Sequence, residues 1–264
     1  MTRSGLATLL FVVQIVFAYS LSAQLQYKVV HSDTIQKRLD LYKGNDTTRE
    51  TALVKLFAEA GCENLSERPV PHRKEPNVIC VLPGGTPEAI VVGAHFDHVS
   101  EGDGIIDNWT GASLLPSLLQ TLVGSTHKHT FVFVAFTGEE EGLLGSASYV
   151  KELSKDQLPQ IEAMINLDTL GLGPTKVWVS QSDPVLVNAL GLLAQSMKLP
   201  IAAMNVDGFG ESDEESFIRK KVCTVTIHSV TSETAHTYHL LAAYLAVLDA
   251  QLVSDGHVCK AKPI

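Results

Sequence analysis

The sequence predicts an α/β fold, a three-layer α/β/α sandwich built on a mostly parallel mixed sheet. Three observations predict it. Apolar, β-branched runs alternate with stretches of helical spacing, the order expected when crossover helices join parallel strands. Several of those runs stop at Asp, Glu or His, as strands do in open α/β sheets, where ligand crevices lie beyond the strand ends. Finally, 45% of residues are hydrophobic, and the roughly 240 residues that follow the N-terminal segment suit one domain with a sizeable core.

The pattern reads as helical from 32 to 57, then as strands near 77–82 and 89–94. A helix follows at 111–123. Pro116 lies inside it and should kink it or mark a shifted start. A strand at 130–136, Phe131 to Phe136 being apolar and β-branched or aromatic, leads to a helix at 142–153. Strands at 162–167 and 176–180, a helix at 184–197, a strand near 201–205, a helix at 213–220 and a strand at 222–228 come next. Leu240 to Leu252 has helical spacing and closes the chain.

The N-terminus has the layout of a secretory signal peptide over 1–23. Arg3 is followed by an apolar stretch from Leu6 to Ala18 and by Ser20-Leu-Ser-Ala23, with cleavage expected after Ala23. That stretch is shorter than the ~20 residues that span a bilayer, so the mature chain, 24–264, is expected to be secreted or periplasmic without stable membrane insertion. Of four cysteines in an export context, Cys62 and Cys80 flank a segment with Pro69, Pro71 and Pro76 and are the expected disulfide. Cys223 reads as a small buried hydrophobe and Cys259 as a free thiol in a polar tail. None has metal-cluster spacing. A net charge of −9 with no basic patch argues against nucleic acid. Oligomeric state leaves no mark in the sequence.

The chemistry concentrates between 93 and 140, in Gly93-Ala94-His95-Phe96-Asp97, Asp107-Asn108 and Gly138-Glu139-Glu140, with a further run, Ala163 to Leu167, ending at Asp168. Imidazole and carboxylates around an open coordination position suit zinc, with cobalt or manganese as substitutes. Asp97 lies on the same side of an extended segment as His95 and can accept the ring N–H that does not face the metal. Adjacent glutamates point differently, so one can hold a cation while the other serves as base. Each feature alone has a plain structural reading: a histidine after a strand, an Asp-Asn turn, an acidic helix start favoured by the helix dipole. Their recurrence after separate apolar strands favours a metal site.

At these residues the chain resembles family 28 of the metallopeptidases, the co-catalytic zinc aminopeptidases. The matching segments are Gly93 to Asp97, Ile105 to Gly111, Thr137 to Ser146 and Asn166 to Asp168, within a resemblance from about Asn77 to about His228. The resemblance implies a zinc-exopeptidase-like catalytic domain and a peptide or protein substrate. It implies that His95 and Asp168 hold one zinc, that Glu140 and a late histidine hold a second, that Asp107 bridges both, and that Glu139 is the general base. Ser212-Asp213 and Phe217 resemble the family's late segment. Glu214 stands where many members carry histidine and is given no role. The family's His-Ser/Thr-x-x-Asp segment is altered here, because Thr231 to His239 runs almost directly into the last helix. His236 is the first choice for the late ligand, His239 second and His228 third, with one zinc expected if none reaches the site.

Three readings follow. The first is an exported zinc aminopeptidase or related exopeptidase. The second is a glutaminyl-cyclase-like acyltransferase, since that group shares the fold and uses an Asp/Glu/His single-zinc site. The third is a binding protein on the same scaffold with impaired catalysis. Trp109 and Phe209 are candidates for pocket walls, with ordinary packing as the alternative.

Overall fold

A computed structural model describes residues 27–205, 211–228 and 244–245. The expected signal peptide, Cys259, and most of the closing helix lie outside the described residues, as do His236, His239 and Phe209. Tyr244 and Leu245, within that helix, are helical and buried, and the Tyr244 hydroxyl donates to the Leu186 carbonyl at 2.8 Å.

One sheet of eight strands organises the described residues: β1 (Asn64–Arg68), β2 (Asn77–Leu82), β3 (Ala89–His95), β4 (Thr130–Phe136), β5 (Ile161–Asp168), β6 (Lys176–Val177), β7 (Ala202–Ala203) and β8 (Thr224–His228). Their spatial order is β1-β2-β4-β3-β5-β8-β6-β7. The central four, β4-β3-β5-β8, are mutually parallel, whereas β2 joins β4 and β6 joins β8 antiparallel. The expected mixed sheet with a parallel heart is therefore present. All four central strands release their C-terminal residues on one rim.

The helices are α1 (Ser32–Leu39), α2 (Asp46–Glu59), α3 (Thr110–Leu122), α4 (Leu144–Glu152), α5 (Pro184–Met197) and α6 (Glu214–Ile218). The two faces of each central strand feed separate cores, as the two-residue period of a strand requires. Ile90, Val92 and Ala94 of β3 pack with α1, α2, α3 and α5, while Ala89 and Val91 face α4 and α6 through Phe136, Tyr149 and Phe217. Fully buried Phe57 and Phe133 each contribute about 1.5–3 kcal/mol of transfer free energy. Gly93 leaves room for this packing, since a Cβ there would lie 2.5 Å from the Phe136 ring and 2.9 Å from the Met164 methyl.

The structure departs from the sequence reading at several places, among them the strand expected at 176–180, which ends at Val177 and gives way to a helical turn over Val179–Gln181. The helical stretch expected at 32–57 is two helices, parted by a turn at Asp40–Tyr42 and by Gly44 at φ +110°. Asn45 then caps α2, its side-chain oxygen accepting the Thr48 N–H at 3.0 Å. The segment between Cys62 and Cys80 contains β1, an edge strand whose residues are largely exposed. The Cys62–Cys80 disulfide is present and ties the approach to β1 onto β2. Cys223 is buried as expected, yet it is disulfide-bonded rather than a lone thiol. The α3 helix keeps buried Pro116 in its interior and runs on to Leu122, so its start is not displaced past the proline. No described helix is long and apolar enough to cross a membrane.

Candidate metal centre

His95 is the last residue of β3 and pairs across the ladder with Phe136, the last of β4; Asp168 is the last of β5. Parallel neighbours that end together bring the imidazole, the carboxylate and the turn after β4 to one place. That turn carries Glu139 and Glu140. Asp107 arrives from the irregular turn Ile105–Trp109 that precedes α3.

His95 Nε2 lies 3.1 Å from Asp107 Oδ1 and 3.6 Å from Asp168 Oδ1. Donor atoms of His95, Asp107 and Glu140 come within 4.8 Å of one another, and so do those of His95, Glu139 and Asp168. All five predicted ligand and base residues among the described ones therefore converge, with His95 common to both groups. The opposite ring nitrogen, Nδ1, is 3.3 Å from the Asp97 carbonyl oxygen and 3.6 Å from its carboxylate. Asp97 is buried, and its two carboxylate oxygens accept the amide N–H groups of Glu139 and Glu140 at 3.1 and 3.2 Å. One residue thus holds the histidine ring, through its carbonyl, and the acidic turn, through its carboxylate.

Burial lowers the basicity of His95, but hydrogen bonds to Asp107, Asp168 and Asp97 outweigh it and hold the imidazole well above its usual pKa. Burial would raise Asp168; donors from His95, Ser212 and Thr169 pull it down to about 2. Glu139 goes the other way. Burial, with Asp213, Asp168 and Glu140 nearby, pushes its carboxyl up to about 9 against the opposing pull of His95. Glu140 is raised by burial and by Asp107. So many acids around one imidazole are mutually unfavourable without additional positive charge, and the mixed nitrogen and oxygen donor set fits a divalent cation such as zinc.

Residues that motif spacing did not assign support this rim. Ser212 Oγ donates to Asp168 Oδ2 at 2.5 Å and accepts from Asn166 Nδ2 at 2.8 Å, while the same amide donates to Glu214 Oε2 at 2.7 Å. Glu214 is thereby a buried structural acceptor, with its carboxyl pushed up to about 7 by burial. Asp213 is wholly buried behind the site, and burial raises it to about 7. The Ser212-Asp213 pair was legible as a segment, but its contacts were not. His228 ends β8 opposite Asp168 in register, but its Nε2 lies 3.2 Å from the Met204 carbonyl and it belongs to neither converging donor group. Trp109 is not a pocket wall. It is fully buried, and its indole N–H is shared by the carbonyls of Arg38 and Leu39 at 3.2 and 3.0 Å.

The model of peptidase family M28 matches residues 77–252. Aminopeptidase YwaD of Bacillus subtilis is 38% identical over 104 residues, 39% of this chain and 22% of that protein. The chain spans less than half the length of the first curated relatives it matches, 22% to 43%. Among solved structures, the LapA aminopeptidase of Legionella pneumophila superposes with a TM-score of 0.69 at 20% identity, covering 90% of this chain and 78% of that one. A glutaminyl cyclase from an Acidobacteriales bacterium gives 0.63 at 15% identity, covering 85% and 94%. At such identities the superpositions speak for the fold.

Proposed function

The chain belongs to peptidase family M28, and we propose that it is an exported zinc-dependent aminopeptidase or closely related exopeptidase acting on peptides or proteins. The observation that carries this reading is the convergence of His95, Asp107, Glu139, Glu140 and Asp168 in two overlapping donor groups, inside a chain of that family. In this reading His95 and Asp168 would hold one zinc, Glu140 and a late histidine, His236 first, would hold a second, and Asp107 would be shared between them. Zinc held by these residues would supply the positive charge that acidifies water and polarises a peptide carbonyl.

The chain's own groups do the rest. Glu139 sits half-buried beside these residues; a cation there would offset the burial and the neighbouring acids that push its carboxyl up to about 9, so that its carboxylate would take the proton of the attacking water and return it to the departing amine. Asp97 orients His95 through Nδ1 and keeps the acidic turn in place. Export is supported by the N-terminal pattern of 1–23 and by the Cys62–Cys80 disulfide, a bond that persists in oxidising compartments.

The test is zinc content of the mature protein together with hydrolysis of a panel of aminoacyl-nitroanilides. Wild type should bind zinc and turn over, and Glu139→Gln should retain zinc while kcat falls by about 10²–10⁴. Undiminished turnover in that variant removes Glu139 as the base. A cyclase reading rests on the near end-to-end superposition on the bacterial cyclase. A peptide with N-terminal Gln separates the two, since an aminopeptidase shortens it and a cyclase closes its ring.

A further inference from the structure

Arg73 precedes the segment matched by the family model, 77–252, yet its side chain, only 9% exposed, reaches the turn that carries Glu139 and Glu140. Its Nε donates to Thr137 Oγ1 at 3.2 Å, and one terminal nitrogen pairs with Glu141. The other terminal nitrogen binds Asp46 Oδ2, on the first turn of α2, at 2.8 Å and lies 3.6 Å from Glu75. The methylene stem lies against Gly138. A Cβ there would meet Arg73 Cδ at 3.0 Å and Cγ at 3.1 Å, and Gly138 also stands at φ +67°. Asp46 in turn takes His98 Nδ1 at 2.9 Å, just past Asp97.

The turn is thus gripped on two sides. Asp97 holds the amides of Glu139 and Glu140 from the metal side. Arg73 ties the flanking Thr137 and Glu141 to α2 from the other. A guanidinium suits this task, because its planar fork spans several acceptors in fixed directions, whereas a lysine ammonium is a point charge on a flexible stem. Burial opposes the charge of Arg73, but its bond to Asp46 and the fields of Asp97 and Glu141 keep it ionised throughout the accessible pH range.

We propose that Arg73 is a positioning residue: by bridging Thr137 and Glu141 to Asp46 it fixes the 137–141 turn and so sets where the Glu139 and Glu140 carboxyls stand. The inference rests on the metallopeptidase reading of that turn. It extends it by giving a residue outside the family-matched segment a share in building the site.

The test measures zinc affinity by competition with a chromophoric chelator, with kcat, KM and melting temperature, for wild type, Arg73→Lys and Glu75→Gln. Glu75 touches Arg73 without touching the turn, so its variant reports the purely structural share of the network. Arg73→Lys should bind zinc about 10–100-fold more weakly and lose kcat with little change in KM, while Glu75→Gln keeps both. Wild-type zinc affinity in Arg73→Lys overturns the proposal, as do parallel losses in the two variants that track melting temperature alone. If Arg73→Lys does not fold, Thr137→Val removes the Oγ1 contact by itself. A weaker zinc site there supports the role and an unchanged one rejects it. The zinc titration needs no turnover, so a wild type that binds zinc but hydrolyses nothing defeats the peptidase reading while leaving this inference standing or falling on its own data.

Discussion

Asp168 illustrates how a single carboxylate of the candidate site depends on neighbours that motif spacing does not assign. Its carboxylate is held down to about 2, against burial, by His95, by the Ser212 hydroxyl and by Thr169. Removing that hydroxyl in Ser212→Ala leaves Asp168 with one donor fewer and Asn166 Nδ2 with Glu214 alone. Zinc should bind about tenfold more weakly and stability should fall by about 1 kcal/mol, read by chelator competition and urea unfolding; unchanged zinc affinity would show that Ser212 does not tune the ligand. His95, Asp97, Glu139, Glu140 and Asp168 stood out in the sequence because each ends or follows an apolar strand, a local signal, whereas Asp107, in the irregular turn before α3, stood out through its Asp-Asn pair and the family resemblance. Arg73, Asn166 and Ser212 were not assigned contacts, because their partners are distant in sequence: Arg73 and Ser212 lie in loops with no periodicity to betray their burial, and Asn166 is a polar residue within the apolar strand β5.

At the scale of elements, the central apolar strands and the helices between them were read at nearly their observed places, the 32–57 stretch was read as one run where the chain makes two helices, and the polar edge was missed. β1 is Asn-Leu-Ser-Glu-Arg, an edge strand with mostly exposed residues, so no apolar alternation marks it. It matters because it brings Glu67 beside Glu50 of α2. Burial, a hydrogen bond between the two carboxyls, and the charges of Glu67 and Glu75 push Glu50 up to about 7. A carboxyl raised on folding contributes stability that is fully present below its unfolded pKa and is lost as pH rises through the folded value. The contribution of Glu50 is therefore intact near pH 4.5 and gone by pH 8. Glu50→Gln should melt higher than wild type at pH 8, by roughly 1–2 °C because solvent screens a partly exposed pair, and the two should converge at pH 4.5. A gap of the same size at both pH values, seen by scanning fluorimetry, would dismiss the shared proton as its cause.

The whole molecule places its least favourable electrostatics where the parallel strands end. A chain of net charge −9 gathers Asp97, Asp107, Glu139, Glu140, Asp168 and Asp213 around one imidazole, and burial raises Glu139 to about 9 and Asp213 to about 7. The layered architecture was legible because alternation of strands and helices is a global pattern, whereas the late histidines could only be ranked, His236 first, His239 second and His228 third, and of these only His228, at the end of β8, lies among the described residues. A cation in this cluster would relieve repulsion that the fold otherwise carries, and it would bind the folded chain alone, because the clustered donors come from β3, β5 and two separate turns. Zinc at a hundredfold excess over its dissociation constant therefore stabilises by about 2.7 kcal/mol, or about 5–10 °C for a chain of this size. Metal binding needs the carboxylates deprotonated, so the difference in melting temperature between zinc-saturated and chelator-treated protein should be large at pH 8 and shrink toward pH 5. Scanning fluorimetry at the two pH values decides it: a pH-independent difference would mean that zinc is held elsewhere, and none at either pH would mean that this acidic rim tolerates its own repulsion without a metal.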